Sequence, residues 1–299
     1  MSVIPSDDQR HDPNLSAPDW SEGWSFYFID PRRRLCCVAR IELFPNRGSS
    51  GVTIWMSCEG KPLYHRQFRG LPLPVGDVLS GICAGGLSFR CLSLQRGRFL
   101  VSFADPDSRV AFDLDWQGLH EPADAVGMHA PNGVPGFATK HIEQLGRIVG
   151  RLTYRDQTLD LSGLGPRSHF VGPRTPESLA SAEAAWVMLD DGRAFGLTQI
   201  ERASGLVQLP WMWDRERLLP LYGMRFERAG DDENRPTSIT LHVSDPHRRR
   251  YLLSGTRRTS MDCYLDTSVV HTGYFDFVLD DGTRGLGAHE FGHRMGETL

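Results

Sequence analysis

Hydrophobic and polar residues alternate with a period of two along much of the chain. The clearest run covers residues 110–117, where Val110, Phe112, Leu114 and Trp116 alternate with small, polar or charged residues. This period places apolar side chains on one face of a β-strand and polar side chains on the other. Further runs follow at intervals of roughly 8–12 residues with turn dipeptides between them, which is typical of β-sandwiches and barrels. The pattern therefore predicts an all-β fold.

Helical patterns are rare in the sequence. Residues 176–186 have a proline near their start and several alanines, and these features favour one short helix. A loop fits the same residues nearly as well. We therefore expect only a few, short helices.

The densest polar pattern lies in residues 141–174. One alternating run ends at Tyr154, and a second begins after the polar turn at 155–157, which predicts a β-hairpin. The second run leads into residues 163–169, Gly-Leu-Gly-Pro-Arg-Ser-His. Glycine beside arginine and histidine is poor core material, so we expect a strand end where the backbone bends and polar side chains converge. We interpret this stretch as the edge of a ligand site.

The length of the chain and the similar segments within it indicate two domains. A chain of 299 residues is long enough to bury two hydrophobic cores. The sequence Asp-Pro-Arg-Arg-Arg-Leu at 30–35 resembles Asp-Pro-His-Arg-Arg-Arg-Tyr at 245–251. Leu-Asp-Asp-Gly occurs at 189–192 and again at 279–282, and Asp-Gly between alternating runs predicts a hairpin turn at each place. Gly, Pro and Arg cluster near residues 172–180. We predict a polar N-terminal tail, open to disorder, over residues 1–18, a first β domain over 19–172 and a second over 173–299.

Composition and charge exclude several classes of protein. The chain is 40% hydrophobic and 23% charged, as ordinary soluble globular proteins are. A net charge of -4 and a pI near 6.3 give no basic surface for nucleic acid. No apolar run approaches the roughly 20 residues of a membrane span, and the first residues lack the hydrophobic segment of a secretory signal. We therefore expect a cytoplasmic protein.

The six cysteines include no C-x-x-C pair. Small buried hydrophobes in a reducing cytoplasm explain them better than disulfides or a metal site.

Residues 289–293 read His-Glu-Phe-Gly-His, the H-E-x-x-H pattern of zinc metallopeptidases. That chemistry needs a helix, on which both histidines reach one zinc. The turn at 279–282 instead predicts a return strand, on which His289 and His293 would lie roughly 13 Å apart. Zinc binding would need a third ligand such as His271. No phosphate loop or dinucleotide fingerprint is present either, so we expect neither a metal nor another cofactor.

Two blocks of the sequence resemble a group of two-domain lipocalin-like proteins. Residues 143–150 and 163–174 are similar to the conserved blocks of the AttH-like proteins and of carotenoid 1,2-hydratase (hydroxyneurosporene synthase). Fungal lipocalin-like cyclases of the Diels–Alderase type share the architecture. The resemblance implies two lipocalin-like antiparallel β-barrel or sandwich domains, with a mostly apolar pocket in a barrel mouth or between the barrels.

The second block departs from the family pattern Gly-x-Gly-x-Arg-Asp-His-Ser-Trp-Gly-x-Arg. Ser168 stands where aspartate is usual, and Phe170 and Val171 stand where Ser-Trp is usual, whereas Arg167 and His169 are kept. If that aspartate moves protons in relatives, this protein must use another carboxylate or another chemistry.

Four residues are our candidates for catalysis. Histidine exchanges protons near neutral pH, and arginine can hold a carboxylate or an enolate. A glutamate beside an apolar wall, or a buried aspartate, can act as a proton donor. Alternatively, Arg167 and His169 belong to a structural network, and Glu143 lies at a solvated strand end or pairs with an arginine. The predicted catalytic residues are His169, Arg167, Glu143 and Asp262.

Eight further residues are candidates for binding a substrate. Tryptophans suit an apolar pocket, although they also suit an ordinary core. His141 shares a strand face with Glu143, and Tyr264 shares one with Asp262. The predicted binding residues are Trp24, His141, Gln144, Arg174, Trp211, Trp213, Tyr264 and His271.

The sequence therefore predicts an acid–base enzyme without cofactors. It would be a hydratase or dehydratase (a hydro-lyase), an isomerase or a cyclase, and would act on a small lipophilic molecule such as a terpenoid or polyketide. The alternative is a carrier or sensor that binds a lipophile without converting it, because such barrels host both functions. A titratable pair deep in the pocket would favour the enzyme. A homodimer is possible.

Overall fold

A computed structural model describes residues 3, 5–95, 97–174, 179–230, 232, 234–265 and 268–294. It divides into two compact units, the first formed by Met1–Asp124 and Ala138–Arg174, the second by Ala125–Phe137 and Thr175–Leu299.

The first unit is an antiparallel sheet that is nearly closed into a barrel. Its strands are β1 (Trp20–Asp30), β2 (Leu35–Phe44), β3 (Ser49–Cys58), β4 (Lys61–Pro72), β5 (Ile82–Ala84), β6 (Leu87–Ser93), β7 (Arg98–Asp105), β8 (Val110–Gly118), β9 (Ala123–Asp124), β10 (Lys140–Tyr154) and β11 (Gln157–Pro173). Short 3₁₀ helices cover Pro5–Asp8 and Pro45–Arg47. The strand order is β4-β3-β2-β1-β11-β10-β8-β7-β6-β5, with β9 paired to β10.

The second unit repeats this plan with ten strands among the residues described. Its elements are the helix α1 (Ala125–His129) and the strands β12 (Leu179–Leu189), β13 (Ala194–Arg202), β14 (Gly205–Gln208), β15 (Trp211–Trp213), β16 (Leu218–Pro220), β17 (Tyr222–Ala229), β18 (Ser238–Ser244), β19 (Arg250–Leu265), β20 (Ser268–Leu279) and β21 (Arg284–Arg294). The order is β16-β15-β13-β12-β21-β20-β19-β18-β17, with β14 paired to β13. The all-β fold with two lipocalin-like barrels is confirmed.

Each barrel has its own apolar core. In the first, Trp24, Phe26 and Phe28 alternate along β1 and point into the interior. The predicted strand at 110–117 is confirmed within β8, and its four apolar residues are buried in the same core. Burial of each large apolar side chain contributes about 1.5–3 kcal/mol to the free energy of folding. The alternation read from the sequence is therefore the main source of the fold.

The two Asp-Asp-Gly turns are confirmed. One joins β12 to β13 and the other joins β20 to β21. Gly192 and Gly282 have φ of 87° and 86°, the left-handed region that these turns require.

The predicted helix at 176–186 is wrong over the residues described, because they belong to strand β12. Residues 176–178 lie outside the described part of the chain. Strand β12 pairs with both β13 and β21, so its small residues occupy a central strand of the sheet. Tertiary pairing has overridden the local helix preference of alanine.

The glycines at 163 and 165 do not mark a strand end, as we had expected, because β11 runs through them to Pro173. A Cβ atom at Gly165 would lie 1.8 Å from the carbonyl oxygen of Tyr27, and one at Gly163 would lie 1.9 Å from that of Ile29. The absence of side chains at these two glycines therefore allows β1 to lie very close to β11, its neighbour in the sheet.

The N-terminal segment contacts the first barrel at Asp8, which is only 2% exposed and bonds to Arg167. Among the described residues, no helix is long and apolar enough to cross a membrane.

Candidate functional site

A charged network lies inside the first barrel. Strand alternation on β11 turns Arg167 and His169 to the interior, and β1 brings Glu22 and Trp24 to the same face. Arg167 is 1% exposed, and both His169 and Glu22 are 0% exposed. Burial this complete requires that every charge be paired.

Arg167 is held by two partners. Its Nη1 and Nη2 donate to the two oxygens of Asp8 at 2.8 and 2.6 Å, and its Nε donates to Gln144 Oε1 at 2.8 Å. The guanidinium also lies over the ring of Phe99, 4.6 Å from its centroid. A bidentate pair of this kind fixes both position and orientation. Although burial would raise the pKa of Asp8, Arg167 and His169 hold it well below its usual range.

His169 lies between two carboxylates. Its Nε2 is 2.9 Å from Glu22 Oε1, and its Nδ1 is 3.4 Å from Asp8 Oδ1. The ring stacks on Trp24, with centroids 4.5 Å apart. Burial alone would lower the pKa of His169, but the bonds to Asp8 and Glu22 and their negative charges outweigh it and raise the pKa. At a given pH, a larger fraction of this imidazole is therefore charged than of an ordinary histidine.

Glu22 connects His169 to the N-terminal segment. The backbone N–H of His11 donates to both Glu22 oxygens at 3.1 Å, and His11 Nδ1 contacts Oε1 at 2.9 Å. Although burial would raise the pKa of Glu22, these bonds and the one from His169 lower it. The His11 side chain is 27% exposed. A chain of contacts thus runs from the buried imidazole to a side chain that water reaches.

His11, Glu22 and His169 are also the three residues that could hold a metal ion in the described part of the chain, since one donor atom of each lies within 4.8 Å of the others. Both histidine nitrogens, however, approach the same Glu22 oxygen at 2.9 Å. That is a hydrogen-bond distance, and shared protons account for it.

The opposite face of the sheet carries a second buried pair, which lies on β10. His141 and Glu143 are 7% and 0% exposed, and His141 Nε2 is 3.9 Å from Glu143 Oε1. Burial, with the positive charge of Arg174 nearby, lowers the pKa of His141 to about 3, so that this imidazole is neutral. The two residues share a face, as expected, but the sheet separates them from His169.

Arg174 stacks on Phe170 at the end of the first unit, with its guanidinium 4.3 Å from the ring centroid.

In the second unit, Asp262 binds Arg235 and lies 2.8 Å from Nδ1 of His271. The His271 ring stacks on His293, with Nε2 atoms 3.2 Å apart. Trp211 is fully buried against Gly196, and Trp213 is half-buried at the end of β15. The side chain of Tyr264 lies outside the described residues. Asp262, His271 and His293 therefore form a polar group of their own within the second unit.

The H-E-x-x-H residues lie on β21, so the predicted return strand is confirmed. Nε2 of His289 is 2.8 Å from Glu183 Oε1, whereas Glu290 accepts a hydrogen bond from Thr272. His289 and His293 have different partners.

Sequence reasoning missed Asp8, His11 and Glu22. Glu22 had a signal, because it lies two residues before Trp24 and so shares its face. Asp8 and His11 had none, because their polar segment has no periodicity.

Comparison with known proteins places the chain in context. A family model described as "Domain of unknown function (DUF7064)" matches residues 4–295. No curated protein matches the sequence.

Three solved structures share the fold. A protein described as AttH from Nitrosomonas europaea has a TM-score of 0.66 at 13% identity, over 97% of each chain. CghA, crystallised with Sch210972, has a TM-score of 0.65 at 10% identity, over 99% of this chain and 97% of its own. Kievitone hydratase from Nectria haematococca has a TM-score of 0.63 at 12% identity, over 94% and 90%. The expected AttH-like two-barrel fold is confirmed.

Proposed function

We infer the activity of this chain, which belongs to the DUF7064 family (a domain of unknown function), from its site. We propose that it is an acid–base enzyme acting on a small lipophilic molecule. The reaction is a hydration or dehydration, an isomerisation or a cyclisation. No bound cofactor is needed for any of these.

One observation carries the proposal: a fully buried imidazole lies between two carboxylates, whose negative charges favour its charged form. An imidazolium beside an apolar wall is a proton donor at neutral pH. His169 is the donor, Glu22 and Asp8 keep it charged, and Arg167 positions Asp8.

The contacts beyond His169 decide which of its two protons moves. Glu22 Oε1 lies 2.9 Å from Nε2 and is bonded to His11 as well, so it holds the proton on Nε2. The mobile proton is therefore the one on Nδ1, the nitrogen that faces Asp8 at 3.4 Å. After Nδ1 has given up this proton, the ring is neutral with Nε2 still protonated, and Nδ1 takes a proton from the substrate in the return step or from water once the product has left.

The surroundings of the donor suit a lipophilic substrate. Trp24 stacks on His169, and Phe26, Phe99 and Trp116 contact one another in the same interior. The indole N–H of Trp24 is buried and makes no hydrogen bond to a residue that the structure describes. A polar group on a mostly apolar ligand would satisfy it.

Two structural neighbours support chemistry on small molecules. One is named a hydratase of kievitone, and the other was crystallised with Sch210972. They are only 12% and 10% identical to this chain, so neither identifies its substrate. A terpenoid or polyketide, a cytoplasmic location and a homodimer remain predictions.

The rival function is a carrier or sensor. A binding barrel needs an apolar lining and one or two hydrogen bonds. A charged imidazole between two carboxylates is more than binding requires, and it is costly to bury. This favours the enzyme.

Isotope incorporation tests the proposal without knowledge of the substrate. The protein is incubated with a panel of lipophilic alkenes, enones and tertiary alcohols, each with and without a carboxyl group, in deuterated, ¹⁸O-labelled water, and products are analysed by mass spectrometry. We expect deuterium or ¹⁸O in at least one compound, reduced on the order of 100-fold in His169→Gln because general acid catalysis is lost. His247→Gln, in an exposed turn, is the control. Incorporation at the protein-free rate across the panel would contradict the proposal and favour a carrier.

A further inference from the structure

Asp8 stands apart from the other members of the charged network. Arg167, His169 and Glu22 lie on β11 and β1 and form part of the barrel wall. Asp8 lies in the single-turn 3₁₀ helix Pro5–Asp8, which enters the barrel from the N-terminal segment. Its carboxylate is 2% exposed despite this position outside the sheet.

The contact between Asp8 and Arg167 has the geometry of ligand recognition. Two parallel bonds, of 2.8 and 2.6 Å, join the guanidinium fork to the two carboxylate oxygens. Arginine binds the carboxylates of ligands in the same way. Gln144 holds the remaining Nε at 2.8 Å, so the fork keeps its direction without help from Asp8.

The charges of the wall favour an anion at this position. When His169 is protonated, Arg167 and His169 carry two positive charges, and Glu22 carries one negative charge. Asp8 supplies the second negative charge and balances the network. Any group that replaces Asp8 must therefore carry one negative charge on two oxygens, as a carboxylate does.

Apart from the bonds of His11 to the buried Glu22, the segment that carries Asp8 is held by contacts near the surface. Asp7 pairs with Lys140, whose side chain is 27% exposed. Arg10 donates to the carbonyl oxygens of Pro74 and Gly76 at 2.9 and 3.3 Å. Such contacts are weak compared with the pairing of a strand in the sheet, since exposed ion pairs contribute at most about 1 kcal/mol.

We propose that the substrate is a lipophilic carboxylic acid whose carboxylate exchanges with that of Asp8 on Arg167. The N-terminal segment is thus an internal competitor that occupies the carboxylate site when no substrate is bound. The proposal rests on the proposed function for the lipophilic character of the substrate. Because Asp8 Oδ1 is 3.4 Å from His169 Nδ1, a carboxylate at this position brings the adjoining carbon atoms next to the proton donor.

Chemical rescue tests whether Arg167 accepts a carboxylate that is not Asp8. In Asp8→Ala, formate and acetate should raise the melting temperature with saturable dependence on concentration, whereas neutral acetamide should not. Asp7→Ala is the matched control, because it removes the neighbouring carboxylate that pairs with Lys140. Equal responses of the two variants, or an equal effect of acetamide, would overturn the proposal.

A binding measurement tests the competition directly. By calorimetry, decanoate should bind Asp8→Ala at least about tenfold more tightly than the wild type, because the internal competitor is gone. Methyl decanoate should show no such gain, and Arg167→Gln added to Asp8→Ala should abolish it. Asp8→Asn keeps the shape of the side chain and serves if the alanine variant does not fold. Equal affinity in the wild type and in the Asp8 variant would contradict exchange.

Neither experiment depends on turnover. Failure of isotope incorporation with successful rescue would leave a carboxylate-binding carrier. Failure of rescue with successful incorporation would leave an acid–base enzyme whose substrate lacks the carboxylate.

Discussion

Glu22 gathers three contacts on one carboxylate, and this explains how so polar a group lies in an apolar barrel. The His11 backbone N–H, the His11 ring and the His169 ring all reach it within 3.1 Å. Removal of one member of a buried charge pair typically costs 3–5 kcal/mol, because the other charge is left uncompensated. The network is therefore stable only as a whole.

His120 gives the stability of the first unit a dependence on pH. Its Nε2 accepts the backbone N–H of Leu145 at 3.0 Å, so this nitrogen must stay unprotonated. Burial lowers its pKa to about 4, below the value near 6.5 of an unfolded histidine. The unfolded chain therefore binds the proton first, and stability that is complete above pH 6.5 falls as the pH drops towards 4.

The expected loss due to His120 between pH 7.5 and pH 5 is about 2 kcal/mol in the free energy of unfolding. Urea unfolding at several pH values measures it, with His120→Gln and the exposed His247→Gln compared with the wild type. The pH slope should be shallower in His120→Gln and unchanged in His247→Gln. An identical slope in all three proteins would contradict the buried, neutral state of His120.

The residue types in the sequence predicted part of this site. Arg167, His169, Gln144 and Trp24 were candidates and lie in one network. The carboxylate that partners His169 is Glu22 rather than Glu143, because Glu143 lies on the opposite face of β10. Which side of a strand faces the barrel interior follows from tertiary packing, which the motif alone does not contain.

At the scale of elements, the contact between β1 and β11 positions the network. Their register places Trp24 opposite His169. Gly163 and Gly165 make this pairing possible, because the β1 backbone passes where their side chains would be. The glycine-rich motif is therefore a packing motif as well as part of the site.

Gly165→Ala should destabilise the protein by about 1–3 kcal/mol or more, because its Cβ would lie 1.8 Å from the carbonyl oxygen of Tyr27. Thermal or urea unfolding measures the effect. Gly51→Ala on β3 is the control, since the nearest atom to its Cβ is 3.5 Å away. Similar stability of the two variants would show that the close approach of β1 is not required.

Elements with strong periodicity were predicted well, and those without it were not. The strand at 110–117 and both Asp-Gly turns follow from local pattern and turn chemistry. The run of alanines in 176–186 misled the prediction, because pairing on both sides of β12 outweighs helix propensity.

At the scale of the whole molecule, the chain repeats one plan in two barrels. Each has its own core, and each buries a histidine beside a glutamate: His169 with Glu22, and His289 with Glu183. In both cases the histidine pairs with the residue two positions after the glutamate. In the sequence, this equivalence was visible only as similar turn sequences.

Two long-range features escaped the sequence. Residues 125–137 belong to the second unit although strands of the first unit flank them. Asp8 bonds to Arg167 across 159 residues of chain. Contacts between residues so far apart in the sequence leave no periodic signal. Residues 125–137 supply part of the second unit, and Asp8 completes the charged network.

The most direct test of the account is the protonation state of His169, measured by ¹⁵N NMR on protein labelled at histidine, with His169→Gln to assign the signal. Followed over a range of pH, the pKa of His169 should lie above the ordinary histidine value, and it should be lower in Glu22→Gln. A His169 pKa at or below the ordinary value that does not respond to Glu22→Gln would contradict the account, because the carboxylates would then not favour a charged proton donor.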